Sequence, residues 1–173
     1  MNDKELSQIL RANSITKPYF RGVWAANVAV QLKFKVGRDT PCFIIVNTDN
    51  ERGDGEHWLV FFYNKNGCLD VFDPFGIAPY AYPNLENFFE ERTLCTEYNT
   101  KCLQATDSNV CGAHCLFYVY VKCKKKLPMY SIINRYYLNN VFFNDCTVLN
   151  FVRNKFKVNN KTLYGLKRTT KCK

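Results

Sequence analysis

The sequence predicts a single domain that mixes helices with a small set of strands, and three observations carry that expectation. At 173 residues the chain is long enough to bury a core without help from disulfides or metal, and no linker, repeat or low-complexity tract divides it. The first half holds short β-branched and aromatic runs, at 42–48, 57–63 and 68–73, set apart by turn-forming residues. The second half holds longer segments with apolar residues at helical spacing, the most apolar of which follows Cys111.

Taken in order, residues 2–12 fit a short helix with Asn2 as N-cap and Glu5, three positions on, as the other half of a capping box. Lys17 to Gly22 reads as a turn into an extended segment, residues 42–48 as a strand, and the D-N-E-R-G-D-G run at 49–55 as a loop. Residues 57–63 and 68–73 form a β-hairpin around Asn64-Lys65-Asn66-Gly67. A three-residue loop places His57 opposite Asp73 at the open end, with Cβ atoms about 5 Å apart, while a two-residue loop shifts the pairing by one. Such a pair is either an imidazole oriented by a carboxylate or a salt bridge at a sheet end. Pro74-Phe75-Gly76 ends that strand. Residues 84–92 then suit a helix, 97–103 a strand, 111–126 the central helix, and 131–138 and 145–157 two more helices; 158–173 is a polar, basic tail.

The stretch from Gln104 to Cys115, Q-A-T-D-S-N-V-C-G-A-H-C, runs from turn-forming residues straight into that central helix. Asp107, Ser108 and Asn109 are cap formers, and the run that follows is apolar on every face, as in a buried helix. Cys111 sits on the first turn, where the positive end of the helix dipole and free backbone N–H groups favour a thiolate and could receive an oxyanion. The alternative is a buried structural thiol. With His57 as base and later acid, Asp73 as the group that fixes its tautomer, and Gln104 as a second oxyanion donor, Cys111 completes the set for acyl transfer. The other histidine, His114, lies one turn along the same helix and cannot easily reach the sulfur.

The totals limit the partners. No apolar run approaches the ~20 residues of a membrane span, and no signal peptide is evident, so the nine cysteines are expected to be mostly free thiols in a reducing compartment. Residues 1–98 carry 10 Lys or Arg against 13 Asp or Glu, whereas residues 99–173 carry 14 against 2. A basic half suits a polyanion such as nucleic acid, or is simply a solvated face. Cys95, Cys102, Cys111, His114 and Cys115 match no recognised zinc spacing, so no metal is assigned. A basic zinc- or nucleic-acid-binding module is the non-enzyme alternative.

Five segments, P-Y-F-x-G at 18–22, I-V-N-T at 45–48, G-x-H-W at 55–58, F-D-P-F-G at 72–76 and Q-x-x-x-S-x-x-C-G-x-x-C at 104–115, occur in an order that resembles the adenovirus maturation protease (adenain) family and its virophage and virus-like transposon relatives. The resemblance implies a papain-like α+β fold in permuted order. A small mixed sheet would pack on a central helix carrying the nucleophile, with further helices behind it. It implies a thiol endopeptidase that cleaves viral capsid or core precursors at Gly-Gly or Gly-x-Gly motifs, with His57, Asp73, Gln104 and Cys111 catalytic and with Gly55 and Trp58 in the substrate groove. Asp73 stands where human adenovirus enzymes have Glu, so the hairpin must come closer. No cofactor is required for the chemistry, but the family's two activators, DNA and a basic cysteine-containing peptide, are implied as partners. The peptide would act in trans or as the chain's own tail at 158–173, with Cys95 and Cys172 as the disulfide pair. The implied setting is a monomer in the virion and infected host cell, in the nucleus or a cytoplasmic viral factory. A protease of ubiquitin-like modifiers and an acetyltransferase of the same clan are the enzyme alternatives.

Overall fold

The computed structural model describes residues 1–159 other than 54, 56 and 91–94. The order is α1 (Asp3–Ala12), β1 (Phe20–Ala25), α2 (Ala26–Ala29), β2 (Cys42–Asn47), β3 (Trp58–Tyr63), β4 (Leu69–Phe72), a 3₁₀ turn at Pro79–Ala81, α3 (Glu86–Glu90), β5 (Thr96–Tyr98), α4 (Cys111–Lys125), α5 (Met129–Ile133) and α6 (Val141–Phe156). The strands make one sheet in the order β1-β2-β3-β4-β5, parallel at both outer pairs and antiparallel inside. This is the mixed α+β architecture expected.

Both faces of the sheet are covered, which explains why β2 and β3 read as unbroken apolar runs rather than as alternating ones. Phe43, Ile45, Val60 and Phe62 point into a core shared with α1, α4, α5 and α6. Their neighbours Ile44, Val46, Leu59 and Phe61 point the other way, against α2 and the Phe88 and Phe89 rings of α3. The larger core is centred on α4. Tyr118 stacks on Phe72 with ring centroids 4.4 Å apart, while Phe117 and Tyr120 meet Phe151 of α6 edge-on at 4.9 and 5.2 Å. Burial of each such side chain contributes about 1.5–3 kcal/mol, so α4 is anchored from the sheet and from α6 at once. It ends at Lys126 in the left-handed conformation, with Lys122, Lys124 and Lys125 over its negative end.

Several boundaries differ from the sequence reading. The α1 capping box is present as expected, Asn2 and Glu5 bonding one another's backbone N–H at 2.9 Å. The α3 helix starts at Glu86 because Asn84 is used elsewhere, its Nδ2 donating to Thr48 O at 3.1 Å. The last helix starts at Val141, four residues early, because Asn140 caps it through the Phe143 N–H. The fifth strand stops at Tyr98 because Asn99 turns inward to the backbone of residue 73.

The cysteine expectations need correction. Cys95 is bridged to Cys68, with Cα atoms 4.8 Å apart, which joins the start of β4 to β5. It is therefore not available to Cys172, which lies outside the described residues with the rest of the tail from 160. Cys146 is also disulfide-bonded, while Cys42, Cys102, Cys111, Cys115 and Cys123 are free. No helix among the described residues is long and apolar enough to cross a membrane.

Candidate active site

The site forms where the open end of the β3–β4 hairpin meets the first turn of α4. The hairpin register sets His57 over a different residue from the one expected. Val60 pairs with Phe72 and Tyr63 with Leu69, two places displaced from a register that would put His57 opposite Asp73. A shift of two keeps side chains on the same face, so the ring still reaches the carboxylate, diagonally, and its direct neighbour is Phe75, stacked on it at 4.6 Å.

Asp73 holds the imidazole in place and is itself held by four donors. Its Oδ1 accepts from His57 Nε2 and from the Phe75 N–H, both at 2.7 Å. Its Oδ2 accepts from the Tyr82 hydroxyl at 2.7 Å and the Ile77 N–H at 3.2 Å. Asn99 fixes the backbone of the same residue, accepting from its N–H at 2.8 Å and donating to its carbonyl at 2.7 Å. A carboxyl group that is 1% exposed needs such a shell of donors to offset its removal from water. The short Asp side chain reaches the ring directly, as the departure from Glu required.

With Nε2 committed to Asp73, Nδ1 is left free to serve Cys111, which interacts with the ring and helps to raise its pKa. Burial alone would lower the His57 pKa. The hydrogen bond and charge of Asp73, together with Cys111, outweigh it and raise the pKa from 6.5 to about 9. The ring is thus held as an imidazolium beside a sulfur at neutral pH. Burial first, then the Asp73 charge, pushes the Tyr82 phenol far up, so Tyr82 stays a donor.

The α4 N-terminus differs from expectation in a way that matters for oxyanion binding. Asp107, Ser108 and Asn109 do not cap it; Val110 occupies the cap position, and among the described residues no side-chain cap bonds the first turn. The leading N–H groups at Cys111 therefore face no capping side chain. Gln104 is 1% exposed and precedes the helix. Its Nε2 donates to Ser108 O at 2.8 Å, and its backbone N–H donates to Pro74 O at 3.1 Å. One amide hydrogen is used in this way and the second remains.

A cleft of about 620 Å³ approaches the site, lined by Gly55, Trp58, Asn47, Trp24 and Met1 among others. Trp58 Nε1 donates to Met1 O at 3.2 Å, and both side chains lie against Gly112, so the cleft ends beside the nucleophile. Gly55 has φ +84, and a Cβ there would stand 2.6 Å from Asn47 Nδ2. His114 is fully buried and its Nε2 is bonded to Asp145 at 2.8 Å, so it is committed away from the Cys111 sulfur. Cys95 is remote, in its bridge to Cys68. No cluster of three metal-ligating side chains occurs among the described residues. Tyr82 and Asn99 were not foreseen: Tyr82 lies in an irregular segment, and Asn99 falls within the 97–103 stretch read as a strand, where no local spacing signals its bonds to residue 73.

No protein-family model matches the chain. It is similar to the protease of human adenovirus D serotype 9, 29% identical over a stretch covering 69% of this chain and 61% of that protein. It also resembles the protease of bovine adenovirus 4, 30% identical over 44% of each chain. The chain thus spans about three fifths of the adenovirus D protease it matches. The crystal structure of the ASFV pS273R protease has the same fold, with a TM-score of 0.50, 13% identity, and coverage of 86% of this chain and 66% of that one.

Proposed function

We propose that this chain, which resembles the adenovirus proteases, is a viral cysteine endopeptidase that processes structural-protein precursors at glycine-containing motifs. The observation that carries the reading is an imidazole bonded to a buried carboxylate and electrostatically coupled to the cysteine at the first turn of a helix whose cap residue makes no side-chain bond. The likeness to proteases adds weight to it.

In this reading the Cys111 sulfur attacks the scissile carbonyl carbon. The oxyanion that forms is held by the Cys111 N–H and by the free hydrogen of the Gln104 amide, each worth on the order of 100-fold in rate. His57 gives its proton to the departing amine, which leaves a thioester on Cys111. The neutral ring then takes a proton from water, hydroxide adds to the thioester carbon, and collapse releases the new carboxyl terminus and the thiolate. Asp73 keeps Nδ1 facing the sulfur throughout. A cleft walled by Trp58 and kept open at Gly55 suits residues without side chains next to the cut bond.

The lysine-rich end of α4 supports nucleic acid as a partner in the virion or infected cell. An activating basic peptide, if used, would not be held through Cys95. The decisive test is cleavage of a Leu-x-Gly-Gly peptide carrying a fluorescent leaving group. Wild type should turn it over and Cys111→Ser should not; an intact peptide together with acetyl transfer from acetyl-CoA would contradict the proposal.

A further inference from the structure

Two consecutive residues near the start of α6, neither of which lines the cleft, bond separately to the segment bearing Gln104 and to the helix bearing Cys111. Asn144 is 2% exposed and its Nδ2 donates to Leu103 O at 3.0 Å, the carbonyl just before Gln104. The same amide accepts from Tyr137 N at 2.7 Å and donates to Tyr137 O at 3.0 Å, which fixes its own position. Asp145 is 1% exposed and its Oδ1 accepts from His114 Nε2 at 2.8 Å. That histidine lies three residues after Cys111 on α4, fully buried and stacked on Tyr136 at 5.6 Å. Burial lowers its pKa, and the neutral ring donates one hydrogen bond.

We propose that Asn144 and Asp145 are positioning residues that set the spacing between the Gln104 amide and the Cys111 nucleophile. The segment at 99–108 has no regular structure after Asn99, so nothing in a helix or strand ladder fixes Gln104 relative to α4. Pro74 O holds it from the hairpin side, through the N–H groups of Leu103 and Gln104. The Asn144 bond holds it from the helical side. The Asp145 bond holds α4 from the same rigid turn, so the two donors of the oxyanion site share one reference point. A displacement of about 1 Å between such groups costs on the order of 100-fold in rate, which gives a buried polar pair a role that apolar packing could not fill.

The inference rests on the peptidase reading, and the test separates the two. Peptide hydrolysis and alkylation of Cys111 by iodoacetamide are measured on wild type, Asn144→Ala, Asp145→Ala and Asp145→Asn, with thermal melting to count folded protein. Alkylation needs no oxyanion donor. Asn144→Ala should therefore lower kcat by 10-fold or more, with KM within about 3-fold, while the alkylation rate stays at the wild-type value. Asp145→Ala, which removes the bond that sets the first turns of α4, should lower both rates, and Asp145→Asn, whose amide oxygen still accepts from His114, should restore both. Should Asn144→Ala not fold, Asn144→Asp keeps the acceptor for Tyr137 N, removes the donor to Leu103 O, and is expected to lower kcat likewise. Folded variants with wild-type kcat, or an Asp145→Ala defect that Asp145→Asn fails to restore, would overturn the inference. If wild type hydrolyses no peptide yet is alkylated at Cys111, the peptidase reading fails, and slower alkylation in Asp145→Ala alone would still support the placement of α4.

Discussion

At the level of single residues, the property that matters most is the charge on His57. Burial works against a charged ring, but Asp73 and Cys111 win and lift its pKa to about 9. If activity requires the imidazolium as proton donor, kcat/KM should fall along an alkaline limb near pH 9. Asp73→Asn removes one of the raising causes, so in that variant the limb should move to lower pH; a limb that stays in place would detach Asp73 from the ring's titration. The same linkage bears on stability. Because the folded pKa lies above the 6.5 of a free imidazole, protonated His57 contributes stability that is complete below about pH 6.5 and lost as pH rises through about 9. Tyr82→Phe deletes one of four donors to Asp73 and should lower stability by about 1.5–3 kcal/mol, the net worth of a hydrogen bond to a charged group, and lower kcat in the folded fraction, as denaturant unfolding and steady-state assays would record. That His57 and Asp73 lie near each other could be read from the hairpin, since two short strands and a tight turn leave few pairings. Tyr82 and Asn99 could not be read, because they reach Asp73 from irregular segments with no spacing rule.

Among the elements, the turn after β4 joins the two sides of the site. Gly76 has φ +68 and closes a turn onto Asp73 O, and a Cβ there would lie 2.5 Å from the backbone carbon of Lys101. Gly76→Ala should therefore push away the segment leading to Gln104, costing about 1–3 kcal/mol in stability and lowering kcat, as denaturant unfolding and steady-state assays would record. The Cys68–Cys95 bridge ties the three-residue strand β5 to the sheet edge. Cys68→Ser should lower stability by about 2–4 kcal/mol, while Cys111 chemistry is retained in the folded fraction. The sequence displayed the strands, the α1 capping box and the long α4 because each carries a local signal of apolar runs or paired caps. The hairpin register, the helix start at Met129 and the uncapped α4 were hidden. Tertiary bonds from Asn84 and Asn99 decided two boundaries and have no local signature, whereas the α6 start at Val141 rests on a local cap by Asn140, a signal the helical spacing from 145 passed over.

For the whole molecule, charge and chemistry divide along the chain. The acidic first half supplies the sheet, with His57 and Asp73. The second half, with 14 basic against 2 acidic residues, supplies α4 and its exposed Lys124, Lys125 and Lys126. If that face binds nucleic acid, the logarithm of affinity should fall linearly with the logarithm of salt concentration. Replacing the three lysines by Gln should make that slope shallower by about 2–3; a slope unchanged by the triple substitution would assign the basic half to solvation. The account depends on one relationship, a sulfur made reactive by the ring beside it. Iodoacetamide labelling at pH 6–7 with mass-spectrometric mapping tests this most directly, because Cys102 is an exposed free thiol in the same molecule and serves as an internal reference. Cys111 should be labelled well ahead of Cys102 in wild type and should lose that lead in His57→Gln, whereas equal labelling of the two thiols, or a lead that survives loss of the ring, would contradict the account.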